Sequence, residues 1–269
     1  MSLDHLSTIC LIASLLAALT YTAGALRLGR LSEKLALRVL ITGVFLHALS
    51  IVTSMISDEG VPQFGFAPAL SATAWLVLVI YTIEHWNIPQ LRVHGGLAAL
   101  GAFSVILSIA FSGHPLHIQA SPWLPLHWML GMASYGLFAV AVVHAVLMQR
   151  AEKKMRLAQD NQTGLPLLTL ERLTFRFVKA GFVLLTATLI AGIWFSDVLY
   201  GPAHALRFDH KTVFALLSWL TTGALLIGRW RLGWRSTFAS RMLYASACLL
   251  LLSYVGSRFV LEVILDRSL

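Results

Sequence analysis

Long apolar segments alternate with short polar segments along the whole chain. Eight apolar segments approach the roughly 20 residues that an α-helix needs to cross a bilayer. They lie at about 6–25, 36–56, 67–85, 95–112, 125–149, 175–196, 210–228 and 241–262. Apolar runs of this length, without the alternation of membrane strands, indicate helices and argue against a barrel. The pattern therefore predicts an all-α fold, a polytopic transmembrane bundle of eight helices.

The composition supports this prediction and limits the domain organisation. The 269 residues are 58% hydrophobic and only 12% charged, which is typical of an integral membrane protein. Because the polar connections are short, residues 1–269 are expected to form a single integral membrane domain. No Lys or Arg precedes the first apolar segment, whereas Arg27 and Arg30 follow it. This order favours an uncleaved first helix over a signal peptide.

The positive charges predict an orientation in the membrane. The net charge is +8, and most of the 20 Lys and Arg residues flank the first, third, fifth and seventh connections. The positive-inside rule places those connections in the cytoplasm and both termini outside, in the periplasm of a bacterial cytoplasmic (inner) membrane. The basic excess is therefore a topology signal. The lipid bilayer is the expected partner, and nucleic acid is not.

The predicted orientation separates the histidines into an outer and an inner group. The outer group is His5, His114, His117, His127, His204 and His210. His127 and His210 begin the fifth and seventh helices at similar depth, so the two imidazoles would face each other across a haem if those helices were neighbours. His47 lies about midway along the second helix, either as a second ligand or as a hydrogen-bonded polar group. For each histidine, contact with water or lipid headgroups is the alternative.

Arg258 lies about one turn inside the outer end of the last predicted helix. A guanidinium at that depth needs a carboxylate partner. Glu262 is four residues further along the helix, at the spacing that allows an ion pair. A haem propionate is the alternative partner.

Several motifs, in order along residues 125–262, resemble those of the cytochrome c assembly (CcsA-like) membrane proteins. They are Leu126-His127 with Ser134-Tyr135, Gly181 to Thr186, Asp209 to Thr212 with Leu217-Ser-Trp219, Gly233-Trp-Arg235, and Tyr254-Val-Gly256. The resemblance implies that His127 corresponds to a histidine that ligates haem at the outer face. It also implies haem b as the cofactor and haem-donor or haem-acceptor proteins as partners.

The chain departs from the family pattern in two places. The tryptophan-rich haem-presenting loop of the family is replaced by residues 199–209, which contain no tryptophan, and no histidine follows His210. In these two features the chain resembles the short YpjD/HemX-type branch of the family. They imply haem binding or regulation of haem supply, without a defined enzymatic reaction.

Three functions are compatible with these observations. The leading hypothesis is a haem-binding, haem-handling protein that uses His127, His210, His47 and Arg258, with His127 and His210 on the iron. The second is a non-haem membrane adaptor that regulates or stabilises another protein through the basic loop 150–176. The third is a transporter, which is disfavoured because few acidic residues lie within the apolar segments.

Overall fold

Eight helices form in the parts of the chain that the structure, a computed structural model, describes. These parts are residues 3–27, 32–56, 63–88, 95–115, 123–157, 166–194 and 210–265. The first seven helices are α1 (Leu3–Arg27), α2 (Glu33–Ile56), α3 (Phe66–Asn87), α4 (Gly95–Ala110), α5 (Trp123–Arg156), α6 (Leu167–Trp194) and α7 (His210–Leu232). The eighth helix, α8, begins as an α-helix at Ser236–Leu251, and π-helical turns follow at Leu252–Gly256 and Val260–Ile264 around Ser257–Phe259. The predicted all-α fold with eight helices is confirmed.

Seven of these helices are long and apolar enough to cross a membrane. The shorter one is α4, with 16 residues, which span about 24 Å at 1.5 Å per residue. Helices α5 and α6 extend beyond their apolar segments into stretches with charged residues, which lie past the part that lipid would cover. Two strands of two residues each pair in antiparallel orientation. Strand β1 (Gln63–Phe64) precedes α3, and strand β2 (His114–Pro115) follows α4.

The chain divides into two compact units. The first unit contains residues 1–118 and 258–269, and the second contains residues 119–257. In the first unit, α1 and α3 each pack against both α2 and α4. In the second unit, α5 and α7 each pack against both α6 and α8. Each unit is therefore a ring of four helices in chain order, in which alternate helices occupy opposite corners.

Small residues allow close helix packing inside the first unit. The ring of Tyr21 is fully buried between two glycines. A Cβ atom on Gly43 would lie 2.6 Å from the Tyr21 ring, and one on Gly101 would lie 2.9 Å from it. These glycines are therefore needed for the approach of α2 and α4 to α1, as is common between membrane helices.

The core of the second unit is apolar. Phe138, Val178, Leu225 and Leu243 come from four different helices and belong to one buried cluster. Large apolar side chains are also exposed on the outside of the helices, for example Phe45, Val183 and Ile227. An apolar exterior around an apolar core is what a lipid environment requires.

Candidate functional site

His127 lies in the second turn of α5 and packs against α6. The absence of a side chain at Gly192 makes room for the imidazole, because a Cβ atom there would lie 3.2 Å from His127 Cε1. The backbone of Thr188 is also within hydrogen-bonding reach of the ring. Nδ1 of His127 is buried and has no hydrogen-bond partner among the residues that the structure describes. An imidazole nitrogen buried in this way is costly unless a ligand uses it.

His210 is the first residue of α7, and its side chain is exposed. Helices α5 and α7 occupy opposite corners of the second unit, since each packs against α6 and α8. The two imidazoles would face each other if α5 and α7 were neighbouring helices, and these two helices are not neighbours. The predicted roles of His127 and His210 as haem ligands remain predictions.

His47 is fully buried in the first unit, and both of its ring nitrogens have partners. Nε2 lies 2.8 Å from Ser71 Oγ, and Nδ1 lies 3.4 Å from Tyr21 Oη. The Tyr21 and His47 rings also meet edge to face, with centroids 5.8 Å apart. Of the two interpretations of His47, this geometry favours the hydrogen-bonded polar group over the iron ligand.

Arg258 and Glu262 form the ion pair that their spacing predicts. Arg258 Nη1 lies 3.9 Å from Glu262 Oε1, and the two side chains are only 13% and 7% exposed. The other carboxylate oxygen, Oε2, accepts a hydrogen bond of 3.3 Å from the Phe66 N–H at the amino end of α3. A carboxylate at this position is also stabilised by the helix dipole. A haem propionate would therefore compete with Glu262 for Arg258.

Tyr135 has contacts that its sequence motif does not reveal. Its hydroxyl donates a hydrogen bond to the Leu250 carbonyl and lies 2.8 Å from Ser253 Oγ. These contacts bind α5 to α8 where the first π-helical turn begins. Departures from α-helical geometry of this kind are frequent at functional sites. A hydroxyl within an apolar helix is a sequence signal for such a contact, but it does not identify the partner.

Two further polar side chains are held inside the second unit. Trp219 donates from Nε1 to Thr186 Oγ1 at 2.8 Å and stacks on Phe182, which joins α7 to α6. His144 is buried, its Nδ1 lies 2.9 Å from the Val140 carbonyl oxygen, and its ring stacks on Phe177.

Of the other predicted residues, His117, His204 and the replaced loop 199–209 lie outside the described residues.

Of the predicted ligands His127, His210 and His47, His127 has the surroundings that fit a haem ligand best. It combines a buried nitrogen without a partner and a ring position set by α6. His47 would have to give up a hydrogen bond to bind iron. Groups of three or more His, Cys, Asp or Glu side chains that would hold a metal ion by themselves are absent from the described residues.

These features define a polytopic helical membrane protein with a histidine near one end of its second helical unit. The chain belongs to the family of cytochrome C assembly proteins, whose family model matches residues 6–265. Together with the apolar helices, this membership and the names of the relatives identify a multi-pass protein of the bacterial cytoplasmic membrane.

Curated relatives agree with the family assignment. The chain is 31% identical over 153 residues to inner membrane protein YpjD of Escherichia coli, a match that covers 55% of this chain and 56% of YpjD. It thus spans about half the length of that relative. The chain is 22% identical to cytochrome c biogenesis protein CcsA of Prochlorococcus marinus over 96% of this chain and 92% of the relative. No solved structure matches the chain significantly.

Proposed function

We propose that this protein binds haem b near the outer face of the membrane and handles it for cytochrome c assembly. The observation that carries the proposal is the buried, unpartnered Nδ1 of His127 at the amino end of α5. Two further facts support it, the family membership of residues 6–265 and the similarity to relatives named for cytochrome c biogenesis.

In this proposal His127 is the first axial ligand. A neutral imidazole binds iron without bringing a charge into the lipid, and the contacts with Gly192 and Thr188 hold the ring in one orientation. The haem iron would supply any redox chemistry, while the protein supplies the ligand and a dry environment.

The remaining residues differ in what haem binding would require of them. His210 is exposed at the start of α7 and is the first candidate for the second ligand. His47 would have to lose its contact with Ser71, and Arg258 would have to exchange Glu262 for a propionate. We therefore rank His210 before His47 as the second ligand.

The proposal includes an orientation and partners. The histidine end of α5 and both termini face the periplasm, and the basic connections face the cytoplasm, as the positive-inside rule predicts. Proteins that donate or accept haem would then meet the chain at its outer face.

The proposal is tested by optical spectroscopy of the protein purified in detergent, before and after titration with hemin. We expect a sharp Soret band, and we expect His127→Ala to weaken hemin binding by at least about 10- to 100-fold, the loss seen when groups that only orient a metal ligand are removed. His85→Ala, a change near the carboxyl end of α3, is the matched control and should leave the spectrum unchanged. A colourless protein that takes up no hemin would contradict the proposal and favour the adaptor.

A further inference from the structure

A cleft of about 450 Å³ opens between the carboxyl end of α5 and the amino end of α8, within the second unit. Three basic side chains line it, Lys153 and Arg156 from α5 and Arg241 from α8. The cleft lies at the opposite end of α5 from His127, so it is separate from the proposed haem site.

The charge in the cleft is unbalanced. Glu152 is the acidic residue in its wall, and it pairs with Arg156 at 2.7 Å. One carboxylate cannot neutralise three cations, so the cleft keeps an excess of positive charge. The amino end of α8 borders it through Thr237, and the positive end of a helix dipole adds to the attraction of an anion.

Tyr244 in the wall of the cleft has a hydroxyl that lacks a partner. Its Oη is buried, and no hydrogen-bond partner for it exists among the described residues. A buried hydroxyl without a partner is costly, and a ligand oxygen that accepts its hydrogen bond would remove that cost. This observation is independent of the basic charges and points to an oxygen-rich ligand.

We propose that this cleft is a binding site for a phosphate-bearing anion. Lys153, Arg156 and Arg241 would contact the phosphate oxygens, because ammonium and guanidinium groups form their strongest hydrogen bonds with such anions. Tyr244 would donate to a neighbouring oxygen of the same ligand. Since the cleft lies at the basic end of membrane-spanning helices, an anionic phospholipid headgroup is the first source of this phosphate and a soluble phosphate is the second.

Native mass spectrometry of the full chain in detergent tests the site, with phosphatidylglycerol and phosphatidylcholine as probes. We expect wild-type protein to bind phosphatidylglycerol more tightly. The triple variant Lys153→Gln, Arg156→Gln, Arg241→Gln should lose on the order of 100-fold in that affinity. The matched control is Arg172→Gln, Arg176→Gln, Lys179→Gln, which removes the same charge from exposed positions on α6 outside the cleft. The control should stay close to wild type.

Two further measurements complete the test. Tyr244→Phe keeps every charge and should weaken binding about 5-fold, the value of one neutral hydrogen bond, so it remains informative if the triple variant fails to fold. Inorganic phosphate added in competition with phosphatidylglycerol identifies the source of the phosphate. A site for a soluble phosphate would release the lipid, whereas a site for a lipid headgroup would keep it bound. Equal losses in the two triple variants or an unchanged affinity in Tyr244→Phe would each overturn the site. So would the absence of a preference for phosphatidylglycerol in a protein that also fails to bind inorganic phosphate.

Discussion

His47 in the first unit and His127 in the second both lie within membrane-length helices, but their surroundings differ. Both ring nitrogens of His47 have side-chain partners, whereas Nδ1 of His127 is buried without one. Burial alone therefore does not distinguish a structural histidine from a candidate ligand. The distinction lies in whether the protein itself satisfies both nitrogens, because an unsatisfied nitrogen leaves a coordination position available.

The largest effect on stability is expected at His47. His47→Ala removes a buried ring and leaves the Ser71 and Tyr21 hydroxyls without their partner, so we expect the free energy of unfolding to fall by about 2–5 kcal/mol. His127→Ala should cost about 1 kcal/mol, because Nδ1 has no hydrogen-bond partner within the described residues and only the Thr188 backbone lies within hydrogen-bonding reach of the ring. Reversible unfolding in mixed micelles measures both, and equal losses would remove the contrast between the two histidines.

The packing around the His47 network is the next test. Gly43→Ala would place a methyl group against the buried Tyr21 ring, and overpacking of this kind costs about 1–3 kcal/mol. Gly96→Ala in α4 is the matched control, since nothing lies within 4 Å of its added Cβ atom. Thermal unfolding of the two variants should show a lower Tm for Gly43→Ala alone. If Gly96→Ala were equally destabilised, the cost would come from the change of residue type and not from Tyr21.

The smallest expected effect on stability is at Gly192. Gly192→Ala brings a methyl group 3.2 Å from His127 Cε1 and should shift the ring, at a cost of less than about 1 kcal/mol. Hemin binding should weaken several-fold and the Soret band should move, because the ligand would be misplaced. Gly223→Ala on α7 is the control, since its Cβ atom would meet only ordinary contacts at 3.7 Å. An unchanged hemin titration in Gly192→Ala would show that this ring is not the ligand.

The helices were predictable because a backbone in lipid must satisfy its hydrogen bonds within each segment, so an apolar run of sufficient length indicates a helix. The ion pair between Arg258 and Glu262 was also predictable, because its partners are close in sequence and four residues complete about one helical turn. The orientation of the termini is still a prediction from charge.

The contacts that distinguish the histidines were not predictable, because they join residues far apart in sequence. Tyr21 and Ser71 lie 26 and 24 residues from His47, and Ser253 lies 118 residues from Tyr135. Their proximity depends on which helices become neighbours. That order also places α5 and α7 at opposite corners, which neither hydrophobicity nor charge along the chain reveals.

The π-helical turns of α8 have a consequence for comparing this chain with its relatives. The hydrogen-bonded loop of a π-helical turn contains one more residue than that of an α-helical turn. After the first of these turns, Leu252–Gly256, the side chains are therefore rotated by about 100° from a regular helical wheel drawn from Ser236. A relative with an uninterrupted helix would align with this one only across a one-residue gap. Aligned without that gap, a residue such as Ser257 would be compared with a position on a different face of the helix.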